Sequence, residues 1–142
     1  MDWEECCKKM IVKSVKPDTG MINSLIKSSE NRIKSQDTLT MNETTAGSKL
    51  SLAYDSLREL LEALALKNDY KIYNHECYSA FLKEIMDKSD KGDEFNEIRK
   101  IRNAVNYYGK DIKEKDADKI IVKIKNFRTF VLNLLESNNE QV

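Results

Sequence analysis

From Leu50 to Leu64 the apolar residues Leu50, Ala53, Leu57, Leu60, Leu61 and Leu64 recur at intervals of three and four. That spacing gathers them on one helical face and cannot line one face of a strand, so the segment must be a helix with a buried side. The rest of the chain is built from the same material. Its 142 residues contain 4 Gly and 1 Pro, too little turn chemistry for many short strands. The expected fold is all-α, an up-and-down bundle of four to five helices with a short extra N-terminal helix. This length is that of one domain. A chain this long buries roughly 70% of the surface its unfolded form exposes, so its core needs neither disulfides nor metal.

Caps and periodicity place the helices. Asp2-x-x-Glu5 reads as a capping box for a segment reaching about Val12. Pro17 favours a first helical turn before the stripe Met21, Ile22, Leu25, Ile26 and Ile33, which polar residues Ser35 to Thr38 end. Thr40-x-x-Glu43 is expected to open the longest helix, reaching about Lys67. Asn74 is expected to cap a shorter helix carrying Cys77, Tyr78, Phe81, Leu82 and Ile85, and Ser89 to Gly92 reads as a turn. The next helix runs from Asp93 to a C-cap at Gly109, and Asp111-x-x-Glu114 opens the last. The stripe of that last helix is Ala117, Ile120, Ile121, Ile124, Phe127, Val131, Leu134 and Leu135. One domain over residues 1–136 is expected, with a polar, disordered tail over 137–142.

The 24 basic and 24 acidic side chains cancel, which removes the global field behind nonspecific nucleic-acid binding. Locally they do not cancel. From Glu97 to Arg128 ten Lys/Arg face five Asp/Glu, and from Asp55 to Glu94 six basic residues face ten acidic ones. Solvated helix faces account for this pattern, and a basic surface around the last two helices is the alternative. The cysteines Cys6, Cys7 and Cys77 are odd in number, two are adjacent, and none forms a CxxC pair. Neither a disulfide framework nor a metal site is expected, and a redox role for Cys6-Cys7 finds no activator beyond Lys8 and Lys9. No apolar run approaches the roughly 20 residues that span a bilayer. The acidic N-terminus lacks a signal peptide's pattern, so the expected setting is cytoplasmic with no membrane partner.

The helix after Asp93 carries the most unusual chemistry. Phe95, Ile98, Ile101, Val105 and Tyr108 form its apolar stripe, and Arg102 falls on or beside it. A guanidinium there must snorkel, pair with a carboxylate inside the bundle, or face a polar cleft. Asn103 with Tyr107, and Arg102 with Asn106, lie one turn apart.

The run Ile98-Arg99-Lys100-Ile101-Arg102-Asn103-Ala104-Val105-Asn106-Tyr107-Tyr108 resembles the signature helix of the HEPN domains (higher eukaryotes and prokaryotes nucleotide-binding). Those domains show Arg, a polar residue that is often Asn, and His four to six residues beyond the Arg. The preceding layout agrees, with a long Leu/Ala-rich helix and then Asn74-His75-Glu76 opening a shorter one, so the resemblance spans about residues 40–135. It implies a helical bundle, often dimeric, in which Arg and His of two protomers line a cleft and, in active members, cleave RNA without metal. Carried over, Arg102 matches the family Arg and Asn103 the polar residue. Tyr107, Tyr108 and Gly109 stand where the His is expected. Tyrosine, with a pKa near 10, is a poor general base at neutral pH. Loss of a matched acid or base costs about 10²–10⁴-fold in rate.

The expected function is therefore a nucleotide-, RNA- or partner-binding module with Arg102, Asn103, Asn106 and Tyr107 as its binding set. It would act without catalysis or cofactor, as a homodimer, beside RNA, a nucleotide, or a nucleotidyltransferase-like or antitoxin protein. The alternatives are a toxin- or defence-type metal-independent ribonuclease using Arg102 and Tyr107, with Arg99 and His75 as accessory residues, and a purely structural bundle. His75, the only histidine, reads as a surface or capping residue unless its helix begins near the end of the Arg102 helix.

Three other patterns have plain readings beside functional ones. Trp3, Cys6, Cys7, Met10 and Ile11 make an amphipathic segment that packs on its own bundle or meets a partner. Tyr70, Tyr73 and Tyr78 are packing residues, or a surface for stacking nucleobases. Glu59 and Glu62, without a neighbouring His, read as a solvated face rather than a metal site.

Overall fold

The computed structural model describes residues 1–107 and 111–140, with side chains for all of these except 107 and 138–140. The helices are α1 (Trp3–Lys8), α2 (Thr19–Thr38), α3 (Ala46–Lys67), α4 (Glu76–Ala80), α5 (Ser89–Tyr107) and α6 (Glu114–Glu140). A π-helical turn, Phe81–Ile85, extends α4, and the strands β1 (Val12–Ser14) and β2 (Tyr70–Ile72) pair antiparallel with Val12 opposite Ile72. The all-α bundle with a short N-terminal helix is thus present, with α3 at its centre. Fourteen of the 22 residues of α3 are buried, more than one face can hold, because α2, α5 and α6 all pack against it. Several polar groups at these contacts are paired. Ser29 Oγ donates to the Ser56 carbonyl at 2.6 Å and accepts from Arg128 Nη2 at 3.0 Å. Lys49 Nζ donates to the carbonyls of Gln36 and Leu39 at the end of α2, meeting both the open carbonyls and the negative pole of that helix.

Several sequence expectations are corrected. Helix α3 opens at Ala46, not at Thr40, because Asn42 Oδ1 accepts from the amides of Thr44 and Thr45 and holds the preceding residues in a turn. Asp18, rather than Pro17, begins α2, its carboxylate accepting from the Met21 amide at 3.1 Å. Ser89 to Gly92 is the first turn of α5, not a loop. Gly92 is there because the helices touch: a Cβ on it would lie 2.8 Å from the Ser79 carbonyl oxygen and 2.5 Å from Lys83 Cγ. Helix α6 begins at Glu114, so Asp111 stands outside it. It continues to Glu140, through most of the segment expected to be a disordered tail. The expected cap at Gly109, and Tyr108 of the stripe, lie outside the described residues.

The cysteine expectation is overturned most clearly. Cys6 and Cys77, both fully buried, form a disulfide between α1 and α4, with Cα atoms 6.2 Å apart. The two are 71 residues apart in sequence and meet because Trp3 packs on Tyr70 and Phe81, bringing α1 over α4. Cys7 stays exposed and free. No described helix is long and apolar enough to cross a membrane.

Candidate functional site

Arg102 leaves α5 toward α3. Its guanidinium carbon lies 4.9 Å from the centroid of the Tyr54 ring, and Nη2 is 3.8 Å from Asp55 Oδ1. Nη1 donates weakly to Asn103 Oδ1 at 3.4 Å. The side chain is 12% exposed, so the charge sits neither in bulk water nor in a sealed core. A guanidinium over an aromatic face is held by the ring quadrupole as well as by charge. Asp55, itself partly exposed, is a long-range counterion for it.

Tyr54 carries the site across to a second element. Its ring is fully buried, stacked on Phe95 at 5.9 Å, and its hydroxyl lies 3.0 Å from Nδ1 of His75 at the head of α4. Asn74 Oδ1 accepts the Glu76 amide and fixes that head in place. Burial, outweighing the lowering influence of Arg102, Arg99 and Arg58, pushes the Tyr54 hydroxyl well above the ordinary tyrosine range. Burial first, then Arg58 and Arg102, lowers His75 to about 4 against the weaker opposing pull of Asp55. At neutral pH the tyrosine therefore keeps its proton and the imidazole is uncharged. The bond runs from the Tyr54 hydroxyl to Nδ1 in the tautomer with its hydrogen on Nε2, and from Nδ1–H to the hydroxyl oxygen in the other.

Arg58, Arg99 and Arg102 all act electrostatically on this Tyr54–His75 pair. Arg99 Nη2 donates to Asn96 Oδ1 at 2.8 Å, whereas its buried Nε has no hydrogen-bond partner among the described residues. Arg58 lies 3.4 Å from Glu62, which also holds Lys71 at 2.5 Å. Three guanidiniums, Arg58, Arg99 and Arg102, thus act on the Tyr54–His75 pair against the opposing carboxylate Asp55, a net positive field around two neutral groups. Such a set can hold a multiply charged oxyanion.

Of the residues singled out from sequence, Arg102, Asn103, Arg99 and His75 come together. Asn106 lies one turn beyond Arg102 along the same seam of α3 and α5, where its Oδ1 accepts from Ser51 Oγ at 2.8 Å, one turn before Asp55. The Tyr107 side chain lies outside the described residues. Tyr54, Asp55 and Arg58 were missed. Their spacing within α3 was the available signal: they interrupt the Leu/Ala stripe with polar atoms at buried or half-buried positions. The carboxylates Glu59 and Glu62 are not a solvated pair. Glu59 is buried and bonded to Arg32, and Glu62 belongs to the network just described. Among the described residues no cluster of His, Cys, Asp and Glu is placed to hold a metal ion. Set beside family models, curated proteins and solved structures, the chain matches none of them.

Proposed function

We propose that the cleft formed by α3, the head of α4 and α5 binds the phosphate of a nucleotide or of RNA, and that it does so without cleaving it. The observation that carries this reading is the hydrogen bond between Tyr54 and His75 Nδ1 among Arg58, Arg99 and Arg102. With Tyr54 as its donor, the imidazole keeps a hydrogen on Nε2 beside guanidinium donors, which suits a phosphate oxygen. That arrangement also withholds both proton-transfer roles, since the Nδ1 lone pair is engaged and a group titrating near 4 is not an acidic imidazolium at pH 7. The resemblance of residues 98–108 to the HEPN signature supports the same ligand class and adds a homodimer to the proposal.

Binding of a short RNA and of ADP, measured in EDTA for the wild type and Arg102→Ala, tests this reading. Loss of one charge-assisted contact of about 1.5–3 kcal/mol weakens binding roughly 10- to 150-fold. Equal affinities for the two proteins would remove Arg102 from the site. A large fall in melting temperature with unchanged binding would assign it a structural pairing with Asp55 instead.

A metal-independent ribonuclease is the second reading, favoured by the approach of His75 to the Arg102 cleft through Tyr54. It requires His75 to release Tyr54 when substrate enters. Cleavage by the wild type that disappears in both His75→Gln and Arg102→Ala would establish it in place of simple binding.

A further inference from the structure

The three tyrosines around β2 separate cleanly. Tyr70 packs against Trp3 at 5.0 Å and against Phe81, and Tyr78 is buried. Tyr73 is 59% exposed and contributes its ring to no aromatic cluster among the described residues. Its partners are two ammonium groups, Lys13 Nζ at 5.5 Å and Lys71 Nζ at 5.9 Å from the ring centroid. Both lysines come from the β-ribbon, where they stand opposite each other. The Tyr73 amide donates to the Ile11 carbonyl at 2.9 Å, which pins the backbone beneath the ring.

We infer that Tyr73, with Lys13 and Lys71, is a stacking subsite for a nucleobase of single-stranded nucleic acid. The inference takes its neighbouring phosphate from the binding reading above. Tyr73 is two residues from His75, so its Cα lies at most about 7 Å from that of the imidazole donor. Lys71 links the two places physically, since Glu62 bonds both it and Arg58. The two lysines are not equivalent. Lys71 is tethered to Glu62, whereas Lys13 has no carboxylate partner among the described residues. Lys13 can therefore leave the ring for a backbone phosphate while a base takes the face it vacates. A solvated aromatic face beside movable cations is the arrangement by which single strands are held without sequence preference. It also narrows the ligand, because a lone phosphate has nothing to place on Tyr73.

The probes are an oligoadenylate RNA of roughly eight nucleotides, within the usual range for a single-strand site, and ribose 5-phosphate, which has no base. Binding of each to the full chain is measured for the wild type, Tyr73→Ala, Tyr73→Phe and Arg102→Ala. Tyr73→Ala is expected to weaken the oligonucleotide roughly 5- to 150-fold and to leave ribose 5-phosphate unchanged. Tyr73→Phe keeps the ring and binds like the wild type, and Arg102→Ala weakens both probes. Replacing Lys13 with Ala lowers the slope of log affinity against log salt by about 0.7, one phosphate contact on a single strand. Wild-type affinity of Tyr73→Ala for the oligonucleotide overturns the subsite, and leaves the phosphate reading standing if Arg102→Ala still loses binding. The reverse pattern, loss in Tyr73→Ala alone, keeps the subsite and overturns the Arg102 reading. Failure of the wild type to bind the oligonucleotide overturns the subsite outright.

Discussion

At His75, burial and neighbouring positive charge act in the same direction, and the consequence extends beyond binding to stability. The imidazole titrates near 4 in the fold against an ordinary 6.5. Above pH 6.5 neither the folded nor the unfolded form is protonated, and the stabilisation is complete. Between 6.5 and about 4 the unfolded chain takes up a proton that the folded chain refuses, so stability falls with pH; below 4 both carry it and the loss stops. The full shift corresponds to about 3 kcal/mol, and solvent screening of the partly exposed ring brings it nearer 1–2 kcal/mol. The groups facing the ring are Arg58, Arg99 and Arg102, opposed by Asp55. Unfolding free energies at pH 7 and pH 4.5 for the wild type and His75→Gln isolate the contribution, because the carboxylates titrate in both proteins. The wild type is expected to lose about 1–2 kcal/mol more than the variant; parallel losses would place the imidazole in solvent, away from Tyr54.

At the scale of elements, the seam between α4 and α5 depends on one missing side chain. Ser79 Oγ donates to the Gly92 carbonyl at 2.8 Å, and the backbones approach too closely there for a Cβ. Alanine at position 92 would gain up to about 1 kcal/mol of helix propensity. The Ser79 carbonyl is backbone and cannot step aside as Lys83 can, so overpacking of about 1–3 kcal/mol outweighs that gain. Gly92→Ala is expected to lower the melting temperature, and an unchanged or higher value would show that the seam can open freely. The same residue explains one limit of the sequence. A glycine that permits a turn and a glycine that permits close helix contact are written identically, so the start of α5 was misplaced. The stripe of α3 was legible because its period belongs to the element alone. The candidate site was legible by half, since Arg99, Arg102 and Asn103 share one helix. Tyr54 and His75 meet only after α3 and α4 have packed, and 21 residues separate them in the chain. The three-residue strands lack any alternation long enough to read.

For the whole molecule, the N-terminal arm acts as a strap. The Met1 amine lies 3.6 Å from Glu76, the Trp3 amide donates to Glu84 at 2.6 Å, β1 pairs with β2, and the Cys6–Cys77 bond joins the arm covalently to α4. The first two contacts are exposed to screening and contribute little alone. The disulfide closes a loop of 71 residues, for which the loss of unfolded-state entropy is worth about 4 kcal/mol. Against a typical domain stability of about 5–15 kcal/mol, that is a large share for one bond. Such bonds persist in oxidising surroundings and are rarely kept in a reducing cytosol, so the strap's state reports on the chain's environment. Urea unfolding with and without reductant is expected to differ by about 2–4 kcal/mol, with a larger denaturant slope after reduction because the opened chain exposes more surface. Cys7→Ser should leave the oxidised protein unchanged, because Cys7 takes no part in the bond. An oxidised midpoint that falls in Cys7→Ser would instead mean that Cys7 is the partner of Cys77. Hydrogen exchange then locates the effect. Amides of β1 and β2 should lose protection first on reduction, since their pairing lies between the strap and the bundle, whereas α3, buried on several sides, should retain it. Uniform loss of protection across α3 and the ribbon would show that the strap and the core unfold as one unit.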